Sequence, residues 1–221
     1  MAREILTPLQ IKFMRLFAGT KTIKKYFYLA GGTALSAYYL KHRYSEDLDF
    51  FSTEAVEILA VEVFLKEIKS ALRISKIDFQ QSFNRNIFFV HAKDGILKTE
   101  FTYFPFGQIE KPALKDGLAV DSLVDIAVNK VFTISQNPRS RDFIDLYFIL
   151  SKYKNFSFEK LLKLARIKFD VQIDPVQLGA QLLKARDIQD LPRMFAKTDH
   201  SQWRNYFLTK AKFLSKEIFK L

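Results

Sequence analysis

A glycine pair that follows an apolar run constrains the fold of this chain most strongly. Residues 26–30 form a short apolar and aromatic run, and Gly31 and Gly32 follow it directly. This pattern is typical of a buried strand that ends in a tight turn. Thr33 is a candidate cap for a following helix over residues 34–41. The sequence therefore predicts a strand, a tight turn and a helix near its start.

Two carboxylates flank the beginning of the next predicted strand. Residues 48–51 are apolar enough for a second strand, and Asp47 and Asp49 stand on either side of Leu48. Because side chains alternate across a strand, Asp47 and Asp49 project to the same side. A third carboxylate, Glu100, lies in a predicted strand over residues 96–104, which we expect to pair beside the first.

Three carboxylates at one edge of a sheet suit two Mg²⁺ ions, which prefer oxygen ligands. Such ions polarise an α-phosphate, activate an acceptor hydroxyl and neutralise the leaving pyrophosphate. A glycine pair lets the backbone approach a triphosphate closely. Taken singly, a glycine pair is usually a turn, an Asp-x-Asp a solvated loop, and a strand glutamate a surface residue. Their order within one strand–turn–helix–loop–strand frame favours the functional interpretation.

The pattern along the chain changes after Pro105. Upstream, apolar spacing predicts helices over 7–18 and 54–72 and further strands over 74–82 and 86–92, the last joined to 96–104 by an Asp94-Gly95 hairpin turn. Downstream, it predicts helices over 121–136, 140–153, 157–169, 174–184 and 200–220. We therefore predict an α/β (α+β) core with a mixed sheet over residues 1–110 and an all-helical lobe over 111–221.

The composition excludes some kinds of site and bears on the choice of partner. The chain has 221 residues, no cysteine and a formal net charge of +11. Disulfides and thiolate metal sites are therefore excluded, and we expect a cytoplasmic protein without a signal peptide or membrane span. The charge favours a phosphate-bearing partner such as a nucleic acid. A solvated, lysine-rich surface is the other interpretation, and the charge does not separate the two.

Four separated sequence blocks resemble one known family. Residues 28–35, Tyr-Leu-Ala-Gly-Gly-Thr-Ala-Leu, and 42–51, His-Arg-Tyr-Ser-Glu-Asp-Leu-Asp-Phe-Phe, are followed by 125–130, Asp-Ile-Ala-Val-Asn-Lys, and 141–147, Arg-Asp-Phe-Ile-Asp-Leu-Tyr. In this order they resemble the AbiEii/AbiGii toxin family of nucleotidyltransferases, which belongs to the DNA polymerase β-like superfamily. The resemblance covers roughly residues 26–150. It departs at the third acidic position, where the family often has Asp and this chain has Glu100.

The resemblance implies a polymerase β-like core, a helical lobe that would close the nucleotide cleft, and a division of roles among the residues of the site. Asp47 and Asp49 would bind metal, Mg²⁺ or Mn²⁺, and Glu100 would be a third ligand and a candidate general base for the acceptor hydroxyl. A second set of residues would hold the nucleotide: Gly31, Gly32 and Thr33 at the β- and γ-phosphates, Ser45 as a further phosphate contact, and Arg43 as a residue that shapes the loop.

The downstream blocks would complete the site, again by resemblance. Lys130 would reach the triphosphate, and Asp142 or Asp145 would take part beside Arg141. Each also has a structural interpretation. Lys130 on an amphipathic helix is by default a surface lysine. Arg141 could form an ordinary ion pair with Asp145 one helical turn away, and the aspartates could simply be acidic residues near a helix N-terminus. The upstream blocks favour the functional interpretation.

The predicted function is transfer of a nucleotide from an NTP onto an acceptor hydroxyl, with pyrophosphate released. By resemblance the chain would be the toxin of a toxin–antitoxin or abortive-infection pair, with tRNA as a plausible acceptor and an antitoxin as a partner. Two alternatives stay open. A kinase or other phosphotransferase would use the same pocket but attack the γ-phosphate, and a catalytically silent nucleotide- or RNA-binding module would keep the fold.

The C-terminal part offers weaker signals. Trp203 and Tyr206 lie near basic residues and are candidates for stacking on bases, although core packing is the favoured interpretation of such aromatics. The segment 186–221 has eight lysines and arginines against four acids, which fits either an RNA-facing surface or a solvated helix face. His42, His91 and His200 lack the spacing of zinc ligands.

Overall fold

The computed structural model describes residues 5–219, with side chains through residue 214. The chain divides into two compact units, Met1–Ser122 and Leu123–Leu221. The first unit contains a seven-stranded mixed sheet and several helices, whereas the described part of the second unit is helical. The predicted order, a mixed α/β part followed by helices, is confirmed.

The first unit alternates short helices with strands. Its helices are α1 (Pro8–Gly19), α2 (Lys21–Lys24), α3 (Gly31–Leu35), which continues as a π-helical turn (Ser36–Leu40), α4 (Ile58–Glu67) and α5 (Lys69–Leu72). Its strands are β1 (Tyr28–Ala30), β2 (Leu48–Ser52), β3 (Lys76–Ser82), β4 (Arg85–Ala92), β5 (Gly95–Tyr103), β6 (Ala113–Lys115) and β7 (Leu118–Val120). The strand order in the sheet is β3-β4-β5-β2-β1-β7-β6.

The centre of the sheet brings the predicted site residues into one row. Strand β2 pairs antiparallel with β1 and parallel with β5. In this register Asp49 lies opposite Ala30 on one side and opposite Glu100 on the other. The glycine turn therefore begins one residue beyond the partner of Asp49, and the expected pairing of the Glu100 strand beside the Asp49 strand is confirmed.

One face of the sheet is a packed aromatic core. Phe50 stacks on Phe17 with ring centroids 4.3 Å apart and on Phe101 at 5.2 Å. Phe64 of α4 packs edge-on against Phe17 at 5.3 Å. Burying a phenylalanine of this kind contributes about 1.5–3 kcal/mol. Because side chains alternate along a strand, Asp49 and Glu100, the neighbours of Phe50 and Phe101, project to the other face.

Helix α1 begins with a complete capping box. The Thr7 hydroxyl accepts a hydrogen bond from the Gln10 backbone at 3.1 Å, and the Gln10 side chain accepts one from the Thr7 backbone at 2.8 Å. Pro8 stands in the first turn, where its missing N–H costs nothing. The cap also fixes the Gln10 side chain, whose amide nitrogen points toward the Asp47 loop.

The second unit contains five α-helices and a short 3₁₀ turn among its described residues. These are α6 (Leu123–Gln136), α7 (Ser140–Lys152), α8 (Phe158–Phe169), α9 (Pro175–Leu183), the 3₁₀ turn (Lys184–Arg186) and α10 (His200–Phe219). Trp203 of α10 is fully buried and stacks on Phe143 at 6.0 Å. Its indole N–H donates to His200 Nδ1 at 3.0 Å. Core packing, the interpretation favoured for Trp203 over stacking on bases, is therefore confirmed, because the ring is buried against Phe143 and its N–H has a partner within the protein.

The end of the predicted C-terminal helix lies outside the described residues. Lys220 is not among them, and the side chains of Lys216 and Glu217 are not described either. The question of an RNA-facing surface over 186–221 therefore stays a prediction. Within the described part of the chain, no helix combines the length and the apolar character needed to cross a membrane.

Several predicted boundaries differ from the structure. The helix predicted over 34–41 begins at Gly31, so Thr33 lies inside it and does not cap it. The division between units lies after Ser122 rather than near residue 110, because the β6–β7 hairpin adds to the sheet next to β1. The helix predicted over 54–72 begins at Ile58 and is interrupted at Ile68. Ser52 bonds both the N–H and the C=O of Glu54, at 3.1 and 2.8 Å, and this local turn delays the helix start.

Candidate active site

The glycine pair makes close contact with the loop that precedes β2. Gly31 has a φ of +68°, a conformation that residues with a Cβ rarely adopt. A Cβ at Gly31 would collide with the Asp49 carboxylate, and a Cβ at Gly32 would collide with the Arg43 guanidinium and lie 3.3 Å from Ser45 Oγ. Glycine is thus favoured at Gly31 by its backbone conformation, and at both positions an added Cβ would force the neighbouring side chain to move.

Polar contacts hold the 42–47 loop against the glycine turn. The buried Thr33 hydroxyl lies 2.8 Å from Ser45 Oγ and makes a short hydrogen bond to the Asp47 carbonyl. The Gln10 amide donates to the carbonyls of Ser45 and Glu46, at 2.9 and 3.0 Å. Thr33 and Ser45 therefore fix the position of Asp47 through the backbone, and in this arrangement the Thr33 hydroxyl is engaged inside the protein.

Arg43 is buried, although it belongs to a polar loop. Its side chain is beside Gly32, and its Nη1 donates to the Tyr44 carbonyl at 3.0 Å. A buried guanidinium that bonds its own loop stabilises one loop conformation. This agrees with the expectation that Arg43 shapes the loop, and its contact with a phosphate stays a prediction.

Two cations bind the predicted catalytic carboxylates. Lys98 Nζ lies 2.7 Å from Asp47 Oδ2. Arg85 binds Glu100 with two parallel hydrogen bonds of 2.6 Å, and the Thr102 hydroxyl donates to Glu100 Oε1 at 2.6 Å. We call the group of Asp47, Asp49, Glu100, Lys98 and Arg85 the sheet cluster.

The contacts of Glu100 determine its charge state. Burial raises the pKa of Glu100, but the hydrogen bonds from Arg85 and Thr102 outweigh burial and bring the pKa below its usual range. The hydrogen bonds between Arg85 and Glu100 raise the pKa of Arg85, and the charges of Glu100, Asp49 and Asp47 add to this rise. Arg85 therefore lies within the electrostatic reach of all three carboxylates.

The donor set of the sheet cluster fits a divalent metal in part. Asp47 and Asp49 are half-exposed carboxylates two residues apart, with the oxygen chemistry that Mg²⁺ and Mn²⁺ prefer. Both oxygens of Glu100 are engaged by Arg85. Within residues 5–219, no group of three or more carboxylate, imidazole or thiolate side chains is arranged to hold a metal ion. Asp47 and Asp49 thus fit as ligands, whereas Glu100 fits after Arg85 has moved.

The downstream motif residues form a separate buried group in the second unit. Lys130 of α6 binds Asp142 and Asp145 of α7, each at 2.7 Å. The side chains are 10%, 1% and 0% exposed, respectively. We call these three residues the helix cluster. Arg141, the fourth residue of the motif, lies half-exposed on α7.

Charge pairing outweighs the effect of burial on Asp142. Burial raises the pKa of Asp142, but the charge and hydrogen bond of Lys130 outweigh it, so that the pKa lies below its usual value. Asp142 also accepts a hydrogen bond from the Arg139 backbone at 3.1 Å, which caps α7. The cluster thus has a structural role within its unit, and its part in a reaction stays a prediction.

Sequence reasoning missed Arg85, Lys98 and Gln10. For Lys98 a signal was present, because it lies two residues before Glu100 on the same strand and therefore on the same face. Arg85 begins the neighbouring strand, and its register could not be derived without the β4–β5 pairing. Gln10 is 35 residues from its partner Ser45, and local patterns do not report such contacts.

Comparisons with known proteins place these observations in a family. A family model described as the nucleotidyl transferase AbiEii toxin of type IV toxin–antitoxin systems matches residues 15–210. An uncharacterized protein from Aquifex aeolicus is 32% identical over 145 residues, which are 65% of this chain and 66% of that protein. The chain thus aligns with about two thirds of that relative's length.

Solved structures share the fold at low sequence identity. JHP933 from Helicobacter pylori is similar with a TM-score of 0.59 and 22% identity, over 96% of this chain and 91% of that chain. MenT4, a nucleotidyltransferase toxin from Mycobacterium tuberculosis, is similar with a TM-score of 0.57 and 16% identity, over 94% and 82%. The expected nucleotidyltransferase fold is confirmed, and, on the match of the family model, the chain belongs to the AbiEii family of nucleotidyltransferase toxins.

Proposed function

We propose that this chain transfers a nucleotide from an NTP to an acceptor hydroxyl in a reaction that depends on a divalent metal ion. The observation that supports this most directly is the row at the centre of the sheet. There Asp49 lies between the glycine turn and Glu100, and Asp47 lies two residues away. This places a backbone without side chains beside half-exposed carboxylates, as a bound triphosphate–metal complex requires.

Each residue of the row has a defined task in the proposal. Asp47 and Asp49 hold the metal ion, Mg²⁺ or Mn²⁺, and the backbone of Gly31 and Gly32 binds the β- and γ-phosphates, with Gly31 directly beside Asp49. When bound, the metal polarises the α-phosphate and neutralises the leaving pyrophosphate. The Thr33 hydroxyl keeps Asp47 in place by donating a hydrogen bond to the Asp47 carbonyl. Lys130, Asp142 and Asp145 are expected to contribute by family resemblance.

Nucleotide transfer forms one bond to the α-phosphorus and breaks another. The acceptor oxygen forms a bond to the α-phosphorus of the NTP, and the bond from that phosphorus to the bridging oxygen of pyrophosphate breaks. The hydroxyl proton must leave the acceptor. Glu100 is a candidate base, but Arg85 and Thr102 lower its pKa and make it a weak one in the arrangement described. We therefore expect Glu100 to accept a proton after Arg85 has moved.

We propose RNA as the class of acceptor, with tRNA the first to test. The net charge of +11 supports a polyanionic partner, because lysine and arginine contacts to phosphates give binding that is independent of sequence. Such binding weakens steeply with salt. A fall in acceptor affinity between low and physiological salt is therefore expected.

We further propose that the chain acts as the toxin of a toxin–antitoxin pair. The family described for residues 15–210 supports this, since its members are described as toxins of type IV systems. A cognate antitoxin is the expected genetic partner. Growth arrest on expression, relieved by a neighbouring reading frame, would test this role independently of the chemistry.

The reaction class is tested by label transfer. The full chain is incubated with Mg²⁺, total tRNA and each NTP labelled at the α- or the γ-phosphate, beside the Asp47→Ala, Asp49→Ala double variant. A matched control removes two exposed carboxylates of α4, Glu62→Ala with Glu67→Ala. We expect α-label in RNA and free pyrophosphate with the wild type and the control, and neither with the double variant.

Other results identify other functions. Transfer of γ-label with release of nucleoside diphosphate would show a phosphotransferase. Binding of NTP without transfer to RNA or protein would favour a nucleotide-binding module. Equal transfer by wild type and the Asp47, Asp49 double variant would contradict the proposed site.

A further inference from the structure

The sheet cluster contains two cations at the positions where a metal ion would be coordinated. Lys98 contacts Asp47 at 2.7 Å, and Arg85 contacts Glu100 through both carboxylate oxygens at 2.6 Å. The Glu100 side chain is 7% exposed, whereas Arg85 is 50% and Lys98 32% exposed. Glu100 is thus much more buried than Arg85, whereas Asp47, at 24%, is exposed to nearly the same extent as Lys98.

Strand register places both cations there. Lys98 and Glu100 are two residues apart on β5 and share a face. Arg85 lies opposite Thr102 in the β4–β5 pairing, and Thr102 is again two residues from Glu100. Both cations therefore belong to the same face as the carboxylates, and their contacts follow from the sheet rather than from chance surface pairing.

A metal ion and these cations interfere with each other. Mg²⁺ binds carboxylate oxygens at about 2.0–2.1 Å. An ion on a Glu100 oxygen that already lies 2.6 Å from Arg85 would stand at most about 5 Å from the guanidinium. Repulsion between a dication and a cation at this separation is large where water is partly excluded. The same argument applies to Lys98 and Asp47.

We propose that Arg85 and Lys98 compete with the divalent metal. They neutralise Glu100 and Asp47 while the metal is absent, they are displaced when it binds, and the displaced side chains then bind the phosphate oxygens of the NTP. Their length and exposure allow this movement, since each side chain is long and begins on a strand, and Arg85 is 50% and Lys98 32% exposed. The inference rests on the proposed function and deepens it.

The test measures metal affinity without turnover. Mn²⁺ binding to the full chain is titrated by calorimetry in the absence of nucleotide, for wild type, Arg85→Gln and Lys98→Met. Exposed residues of the same unit provide matched controls, Arg15→Gln and Lys93→Met. We expect each cluster variant to bind Mn²⁺ about tenfold more tightly and the controls to remain close to wild type.

A second titration distinguishes competition from a merely structural role. With Mn²⁺ saturating, the affinity for a non-hydrolysable NTP analogue should fall in Arg85→Gln and Lys98→Met. Metal affinity and nucleotide affinity would thus change in opposite directions, whereas a distorted site would weaken both. Arg85→Lys keeps the charge but loses one of the two hydrogen bonds to Glu100, so both affinities should lie between those of wild type and Arg85→Gln. Circular dichroism confirms that each variant is folded.

Each outcome bears on a different part of the account. Unchanged or weaker Mn²⁺ binding in folded Arg85→Gln and Lys98→Met, with normal binding by the wild type, would overturn the competition and leave the proposed function standing. Failure of the wild type and all variants to bind Mn²⁺ would overturn both the competition and the metal dependence of the proposed function. If the Mn²⁺ affinity of the control variants rises as much as that of the cluster variants, the cause is a general effect of charge, and the competition is also overturned.

Discussion

The sheet cluster and the helix cluster use the same chemistry in different surroundings. In both, lysine or arginine binds aspartate or glutamate at 2.6–2.7 Å. The cations of the sheet cluster are 32% and 50% exposed, whereas Lys130 in the helix cluster is 10% exposed and its partners are almost fully buried. The two clusters therefore differ in how easily an ion pair can open.

The difference in burial means that the ion pairs of the sheet cluster can open readily, whereas those of the helix cluster cannot. A half-exposed ion pair contributes little to stability, because water screens the charges and solvates them when the pair opens. The charges of a buried pair are not solvated by water when the pair opens, and removal of one partner leaves the other charge buried and unsolvated. We therefore expect changes in the sheet cluster to alter ligand binding and changes in the helix cluster to alter folding.

The largest effect on stability is expected from Lys130→Met. This change leaves Asp142 and Asp145 buried without the amine that pairs with both. Loss of one partner from a buried ion pair costs about 3–5 kcal/mol. Urea unfolding measures the difference, and a loss well under 1 kcal/mol would contradict the structural role assigned to the cluster.

The pH dependence of the same variant sharpens the comparison. In the wild type, Lys130 lowers the pKa of Asp142 below its unfolded value near 4, so this stabilisation is present above about pH 4 and is lost as the pH falls through the folded pKa. In Lys130→Met, burial without the amine raises that pKa. The gap in unfolding free energy between wild type and variant should then narrow from pH 7 to pH 5. A constant gap would indicate that the carboxylates find other partners.

A moderate effect is expected from Gly31→Ala. The positive φ costs alanine about 1–2 kcal/mol, and the added Cβ would displace the Asp49 carboxylate. Gly117→Ala is the matched control, because its φ is +81° but its Cβ would meet Ala18 at an ordinary 3.4 Å. Both variants should lose similar stability, and Gly31→Ala should also lose Mn²⁺ binding. Equal metal binding in the two would contradict the close approach to Asp49.

The smallest effect is expected at a surface pair of the second unit. Lys210 contacts Glu159 at 2.6 Å, but Glu159 is 60% exposed. Glu159→Gln should lower the unfolding free energy by less than about 1 kcal/mol. When Glu159→Gln is measured beside Lys130→Met under the same conditions, the difference shows how strongly burial changes the contribution of an ion pair to the unfolding free energy. A loss as large as that of Lys130→Met would remove the distinction on which the comparison depends.

Local spacing predicted the core of the candidate site. The glycine turn, the Asp47–Asp49 alternation and the neighbouring Glu100 strand follow from strand and turn rules that act within a few residues. The pairing of Asp49 with Glu100 confirms that part of the prediction. The charge balance of the site could not be predicted in the same way, because Arg85 reaches Glu100 through the register of a third strand.

The missed β6–β7 hairpin shows a different limit. Asp116-Gly117 has the same turn signal as Asp94-Gly95, and both Asp116 and Gly117 have a positive φ, at +51° and +81°. Its strands are three residues long, and Leu114 is 79% exposed, so the apolar alternation that identifies a strand is weak. The hairpin is held by pairing with β1, a contact between residues far apart in sequence.

The central claim is that the sheet cluster is the reaction site, and Asp49→Asn tests it most directly. Asparagine keeps the shape of Asp49 but removes the charge that binds a metal. Pyrophosphate release and urea unfolding are measured on the same preparation. We expect kcat to fall by at least about 10³-fold while the unfolding free energy changes by less than about 1 kcal/mol. Pyrophosphate release at the wild-type rate by the folded variant would contradict the account.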